Sequence, residues 1–192
     1  LGKTFGEPLM LFFNSIEQMN QHAKCLFNLA EIESALDSMI QHVTQDLADK
    51  QPVVLGVMRG ALPMMGYIIP RLRFYLEVDY VHATRYQQQL TTGDLLWLHE
   101  PHVDLTNRTV LLLDDILDRG ITLKAIADKC YELGAKDVKI AVLCQKQIAH
   151  FSPAINADYI ALFVPDAYVF GYGMDYEGGW RNAPGIYELT NV

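Results

Sequence analysis

Residues 110–133 read VLLLDDILDRGITLKAIADKCYEL, and the reading of this stretch decides the fold. It opens on an unbroken apolar run, Val110 to Leu113, the pattern of a strand buried on both faces. Two carboxylates follow at once, Asp114 and Asp115, and then a short polar turn, Asp118-Arg119-Gly120-Ile121-Thr122. Beyond the turn, Leu123, Ile126, Ala127, Cys130 and Leu133 recur at helical spacing, and Gly134 stands where a helix C′ residue belongs. A second apolar strand runs from Val138 to Leu143. Strand, acidic loop, helix, glycine and strand make one βαβ unit, so the chain is expected to be α/β.

In parallel sheets, ligands bind beyond the carboxyl ends of the strands. The N–H groups from Arg119 to Thr122 open the helix without intrahelical partners and favour an anion such as a phosphate. Thr122 adds a hydroxyl. Three carboxylates beside that site, Asp114, Asp115 and Asp118, would be out of place in a plain phosphate pocket. They make sense if the ligand also carries sugar hydroxyls, which donate to carboxylates, or a Mg²⁺ ion, which takes oxygen ligands. A phosphorylated ribose meets both demands.

Working outward, Val53 to Met58 reads as another core strand, Met58-Arg59-Gly60-Ala61 as its C-terminal turn, and a helix follows through Tyr67 to about Leu72. Arg59 and Gly60 thus emerge on the same sheet edge as Asp114. An arginine there is suited to gripping phosphate, and the glycine permits close backbone approach. Upstream, Ile32, Leu36, Met39, Ile40, Val43 and Leu47 mark one face of a packing helix that ends near Asp49. Residues 1–28 read as an irregular lid or short helices. Downstream, Glu77 to Ala83 is a strand, and Thr91-Thr92-Gly93-Asp94 signals a turn inside a hairpin-like flap from Tyr86 to His99. Lys146 ends a buried strand on the ligand side, either snorkelling from the strand end or donating to a carbonyl oxygen. Asp158 to Val164 is a further apolar strand. The tail, VPDAYVFGYGMDYEGGWRN, is too polar for core and too patterned for a disordered end.

Length and composition bound the rest. At 192 residues, 51% hydrophobic and 20% charged, the chain suits one folded domain. A net charge of −8 argues against a broad nucleic-acid surface and against anionic membranes. The three cysteines, Cys25, Cys130 and Cys144, are widely spaced and read as reduced thiols of a cytoplasmic protein. Val53 to Pro70 spans 18 residues with Arg59 as its single charge, but its Gly and Pro residues break it up, so it is read as strand, loop and helix rather than a membrane span. No signal peptide is visible, and the chain begins at Leu1 without Met. His99 and His102 flank Pro101 with no third ligand, so no zinc site is expected there.

The stretch LLLDDILDRGITL resembles the phosphoribosyl-pyrophosphate motif of the type I phosphoribosyltransferases. The resemblance implies that Asp114 and Asp115 bind the ribose hydroxyls. It places Asp118 beside the reacting base, and has the loop of Asp118, Arg119, Gly120, Ile121 and Thr122 hold the 5′-phosphate. Arg59-Gly60 is similar to the pyrophosphate loop of the purine members, where Lys is also common before this Gly, and implies a cis Met58–Arg59 peptide. Family members close a mobile loop, often with Ser-Tyr, over the site; Tyr86 matches it and Arg85 departs from it. Lys146 matches a lysine that bonds the 6-oxo oxygen of a purine.

The tail resembles the purine-binding segment of the hypoxanthine-guanine phosphoribosyltransferases. By that match Tyr168, where many members have Phe, stacks on the purine. Val169 offers backbone groups to its edge, Asp175 lies near the base and the metal, and Arg181 contacts pyrophosphate. The likeness runs from about Pro52 to Val192. It implies a single domain over residues 1–192: a mostly parallel sheet flanked by helices, with its core at about 50–164. A small hood from about 1–30 and 165–192 would cover the base. It further implies a homodimer or homotetramer, a Mg²⁺ cofactor held by Asp114, Asp115 and Asp175 partly through water, and catalysis by Asp118. The substrates would be phosphoribosyl pyrophosphate and a 6-oxopurine. The rival reading is a regulatory protein of the same fold that senses phosphoribosyl pyrophosphate and binds nucleic acid. The choice among hypoxanthine, guanine and xanthine stays open.

Overall fold

The computed structural model describes residues 14–85 and 95–190. In chain order it holds α1 (Ile16–His22), β1 (Ala23–Asn28), α2 (Leu29–Leu47), β2 (Val53–Val57) and α3 (Leu62–Ile68), the last running into a 3₁₀ turn at Ile69–Arg71. Then come β3 (Glu77–Arg85), β4 (Leu95–His99), β5 (Thr109–Leu117), α4 (Ile121–Glu132), β6 (Asp137–Gln147), β7 (Tyr159–Pro165), β8 (Val169–Phe170) and β9 (Gly185–Leu189). The main sheet has six strands in the order β4-β3-β2-β5-β6-β7, parallel except for the β3–β4 hairpin. A three-stranded antiparallel sheet, β1-β9-β8, joins the N-terminal segment to the tail.

The apolar run of β5 explains the layering. Leu111 and Leu113 face the core shared with α2 and α3, while Val110 and Leu112 face the core shared with α4. A strand with both faces buried cannot alternate with polar residues. The buried side of α2 is Ile32, Leu36, Met39, Ile40, Val43 and Leu47, the stripe read from the sequence. Its start is fixed by a capping box: Asn28 Oδ1 accepts the Glu31 N–H at 3.1 Å, and Glu31 Oε2 accepts the Asn28 N–H at 2.9 Å. Gly134 closes α4 with a φ of +90°, where a side chain would be strained.

Two sequence expectations need correction here. The strand read as Val110–Leu113 runs on to Leu117, so Asp114 and Asp115 lie on β5 and not in the loop after it. The reason is the length of β6, which pairs Asp114 with Val142, Ile116 with Cys144 and Leu117 with Gln145. Pairing of β2 with β5 stops at Gly56 and Leu113, so β5 has a free edge from Asp114 onward. The N-terminal segment, expected as irregular lid or short helices, supplies a short helix but also β1, which is tied to β9.

The strand order reverses between β2 and β5. α3 leaves β2 toward one core and α4 leaves β5 toward the other. Their connecting loops therefore diverge and open a crevice at the strands' carboxyl ends. Val53 to Pro70 is strand, loop and helix, and among the described residues no helix is long and apolar enough to cross a membrane. The hairpin arms β3 and β4 are present. Tyr86 and the side chain of Arg85 lie outside the described residues.

Candidate active site

The crevice is a cavity of about 570 Å³. Its floor is the exit of β2 (Val57 to Gly60), the end of β5 with the turn into α4, and Lys146 on β6. Its roof is Tyr168, Val169, Met174, Asp175 and Arg181. Of the residues singled out from the sequence, all those whose side chains are described line it except Ile121. Ile121 is exposed and enters only through its main chain, as the first residue of α4.

Each side of the cavity has its own chemistry. The N-cap of α4 is Gly120, at φ +73° and with no side-chain cap. The first turn of α4 therefore presents main-chain donors with no carboxylate or hydroxyl of the cap residue to satisfy them. Gly120 is held there by the loop between β6 and β7: a Cβ would lie 3.2 Å from the Ile155 nitrogen, and the Ala154 N–H donates to the Arg119 carbonyl. The guanidinium of Arg119 lies 5.5 Å from the Phe151 ring.

On β5, Asp114 and Asp115 are neighbours, with the Asp115 N–H donating to Asp114 Oδ1 at 2.9 Å. Burial pushes the Asp114 carboxyl well above the usual carboxylate range, and the charge of Asp115 adds to it. Burial also raises Asp115, with the positive charge of Arg181 opposing. Asp115 lies against Gly60, where a Cβ would stand 1.8 Å from Asp115 Oδ2. The close approach that Gly60 permits is thus first to a carboxylate. The Met58–Arg59 peptide is cis. Arg59 is exposed and makes no ion pair among the described residues.

On the third side, Lys146 is mostly buried, with Nζ 3.7 Å from Asp118 Oδ2 and 3.9 Å from Asp166 Oδ1. Asp118 is not the cap of α4, since Gly120 holds that place. Overhead, Tyr168 exposes a ring that packs edge-on against Tyr176 at 5.9 Å. Its hydroxyl donates to the Asp175 carbonyl at 3.2 Å. Arg181 donates through Nη2 to Asp175 Oδ1 at 2.6 Å and through Nη1 to the Gly173 carbonyl at 2.6 Å. The same Nη1 lies 4.0 Å from Asp115 Oδ2.

The expected metal ligands, Asp114, Asp115 and Asp175, do not form a closed cage; among the described residues no three His, Cys, Asp or Glu side chains do. What they offer is a partial set of hard oxygens, two of them on carboxyls that burial makes reluctant to ionise. That donor set fits Mg²⁺, which takes one or two carboxylates and completes its shell with water and substrate phosphates. Gly173 and Asp166 were missed by sequence reasoning. Asp166 had a signal, standing two residues before the aromatic Tyr168. Gly173, at φ +109° and with its Cβ position 2.1 Å from the Gly60 carbonyl, had only the glycine-rich run around it.

A larger cavity of about 1140 Å³ lies between α2 and β7. Size does not make it the site, because its acidic groups are already used in holding the fold. Glu31 closes the capping box, Asp46 accepts the Tyr159 hydroxyl, and Asp158 accepts the Ile140 N–H and pairs with Lys139.

Known proteins resemble this chain over most of its length. The phosphoribosyl transferase domain family matches residues 22–177, which include most of both cavity walls. The chain is 32% identical to a hypoxanthine-guanine phosphoribosyltransferase of Bacillus subtilis over 85% of its own length and 91% of that protein's. It is 32% identical to the bifunctional protein TilS/HprT of Listeria innocua over 87% of its own length, but spans only 26% of that relative. A crystal structure of a hypoxanthine phosphoribosyltransferase from Staphylococcus aureus superposes with a TM-score of 0.84 at 27% identity, covering 93% of this chain and 97% of that one. The β5–α4 motif and the tail line one cavity, and the chain belongs to the phosphoribosyltransferase family.

Proposed function

We propose that this chain is a purine salvage enzyme. It transfers the phosphoribosyl group of phosphoribosyl pyrophosphate to hypoxanthine or guanine, giving IMP or GMP and pyrophosphate. The observation that carries this reading is the convergence in one cavity of three kinds of group: the uncapped start of α4, the carboxylate pair of β5, and Lys146 with the exposed ring of Tyr168. Two of the relatives, from Bacillus subtilis and Staphylococcus aureus, carry the name phosphoribosyltransferase, which favours catalysis over the regulatory alternative.

The 5′-phosphate takes the N–H groups and hydroxyl of Gly120 to Thr122, with Arg119 alongside. The ribose hydroxyls donate to Asp114 and Asp115. Arg59, the Gly60 main chain and Arg181 take the pyrophosphate. Asp114, Asp115 and Asp175, partly through water and together with substrate oxygens, would hold a Mg²⁺ ion, which when bound would offset the charge of the leaving pyrophosphate. The purine stacks on Tyr168, meets the Val169 main chain at its edge, and accepts from Lys146 at its 6-oxo oxygen.

The reaction breaks the bond from C1 to the pyrophosphate oxygen and forms the bond from C1 to N9 of the purine. The carbon passes through an oxocarbenium-like state that the neighbouring carboxylates stabilise. The purine loses its N7 proton as N9 bonds, and Asp118 receives it. We further infer a homo-oligomer, as the family resemblance implies, and a cytoplasmic location, which three widely spaced cysteines suit.

A spectrophotometric assay of each purine with phosphoribosyl pyrophosphate and Mg²⁺ tests the reading. Hypoxanthine and guanine are expected to react. Adenine, whose 6-amino group has no lone pair to offer Lys146, is expected to be rejected by about 10⁴-fold or more. Turnover of adenine at a rate like that of hypoxanthine would remove Lys146 from base recognition.

A further inference from the structure

One cation already lies between the carboxylates of Asp115 and Asp175, and it belongs to the protein. Arg181 donates to Asp175 Oδ1 at 2.6 Å and to the Gly173 carbonyl at 2.6 Å, and lies 4.0 Å from Asp115 Oδ2. The other oxygen of Asp175, Oδ2, accepts the Gly178 N–H at 3.0 Å. Both oxygens of this carboxylate are therefore engaged. The Arg181 side chain is only 32% exposed, and its Nε is buried with no hydrogen-bond partner among the described residues. The guanidinium fork is thus incompletely used: one of its donors has no acceptor among the described residues.

A guanidinium and a divalent cation compete for the same oxygens. A Mg²⁺ ion binding Asp175 alone would have to break a charge-assisted pair and then sit beside an unpartnered positive charge. Pyrophosphate changes the competition, because its oxyanions match the planar fork better than one carboxylate and one carbonyl do. They also offer an acceptor to Nε. The present partners of Arg181, Gly173 and Asp175, lie in the tail, so the side chain can exchange them without any movement of the main sheet.

We propose that Arg181 is an internal counter-cation that keeps the Asp115–Asp175 pair closed to a free divalent cation and releases it to pyrophosphate, so that metal and pyrophosphate enter together. The proposal rests on reading this cavity as a Mg²⁺–pyrophosphate site. It gives Arg181 a second role, as a positioning residue for the metal, besides its contact with pyrophosphate. By linkage, pyrophosphate must raise metal affinity by the same factor as metal raises pyrophosphate affinity.

Equilibrium dialysis with Mn²⁺ as the probe tests it, on the wild-type chain and on Arg181→Gln, with and without inorganic pyrophosphate. The wild type is expected to retain little Mn²⁺ alone and to gain about tenfold or more in affinity with pyrophosphate. Arg181→Gln is expected to bind Mn²⁺ alone about tenfold more tightly than the wild type and to lose most of that linkage. Equal binding of Mn²⁺ alone by the two proteins, with uptake by the wild type still promoted by pyrophosphate, overturns the counter-cation role and leaves the metal site standing. If neither protein retains Mn²⁺ even with pyrophosphate, the metal reading falls and this proposal with it. Should the glutamine variant fail to fold, Arg181→Lys keeps the charge but cannot span both partners. It is expected to bind free Mn²⁺ more tightly than the wild type by a smaller factor, and no increase there overturns the proposal.

Discussion

The sheet rim and the C-terminal hood face each other across one cavity, yet they hold their side chains by different means. On the rim, Asp114, Asp115 and Lys146 stand on β5 and β6, strands fixed by an unbroken parallel register. On the hood, the groups stand on a chain that reverses repeatedly through left-handed conformations. These include Gly171 at φ +96°, Tyr172 at +45°, Gly173 at +109°, Glu177 at +50°, Gly178 at +78° and Trp180 at +57°. Three of these are not glycine, and such residues seldom adopt that region. The hood instead anchors its side chains to its own main chain, as Arg181 does on Gly173 and Tyr168 on Asp175. A ladder gives preorganisation suited to chemistry; a knot of turns gives a surface that can exchange partners when ligand arrives.

The largest expected effect separates chemistry on the rim from binding on the hood. Asp118→Asn keeps shape and hydrogen bonding but cannot take a proton. It should lower the single-turnover rate by on the order of 10²–10⁴-fold while binding of phosphoribosyl pyrophosphate is largely kept. Capping of α4 is not at stake, because Gly120 is the N-cap. A normal chemical rate in this variant removes Asp118 from the mechanism and, with it, the division of labour between the two walls.

The next effect tests the joint between them. A Cβ at Gly173 would meet the Gly60 carbonyl at 2.1 Å, in a backbone conformation that strains any side chain. Gly173→Ala should therefore cost roughly 2–4 kcal/mol of stability, read as a lower Tm. Gly60→Ala makes a clash at 1.8 Å, but with the Asp115 carboxylate, which can rotate away. It should lose activity with the smaller change in Tm. The reverse order of the two Tm shifts would show that the hood, and not the rim, is the part that yields.

The same contrast explains what was legible in the sequence. The run Val110 to Leu113 and the stripe Leu123, Ile126, Ala127, Cys130 carry period and polarity, so the βαβ unit and its phosphate end could be read from them. Where β5 stops could not, since its last four residues are held by β6 and only pairing decides that length. Tyr168, Asp175 and Arg181 were reached through family resemblance alone. Their positions depend on positive φ angles and main-chain contacts across the cavity, which leave no periodicity. Gly173 and the Arg181 contact to Asp115 belong to the same class, and the chain's local pattern does not encode them.

A smaller effect probes the phosphate end of the rim. Thr122→Val removes one hydroxyl from the first turn of α4 and leaves the main-chain donors. Affinity for phosphoribosyl pyrophosphate should fall by roughly 1.5–3 kcal/mol, the range of a hydrogen bond to a charged group. Calorimetry reads this directly. Unchanged affinity would place the 5′-phosphate elsewhere in the cavity.

The last effect concerns what the preorganised wall costs the free protein. Burial, and then the charge of Asp115, hold the Asp114 carboxyl well above its ordinary value of 3.8. Between that value and the raised one, the folded state binds more protons at this position than the unfolded state does. Stability from this group therefore falls as pH rises through that window, and stays lower above it. Asp114→Asn keeps an oxygen able to accept the Asp115 N–H but has no charge to bury. In metal-free buffer at pH 7 it should be more stable than the wild type, and its melting temperature should decline less as pH rises from the ordinary carboxylate range toward neutrality. The same variant should bind phosphoribosyl pyrophosphate less well, because one acceptor for the ribose hydroxyls has become in part a donor. Stability gained with affinity lost is the signature of a carboxylate kept for its ligand. If Asp114→Asn is less stable than the wild type at pH 7, the carboxylate is instead satisfied in the free protein, and the rim is not strained for function in the way its buried acidic pair suggests.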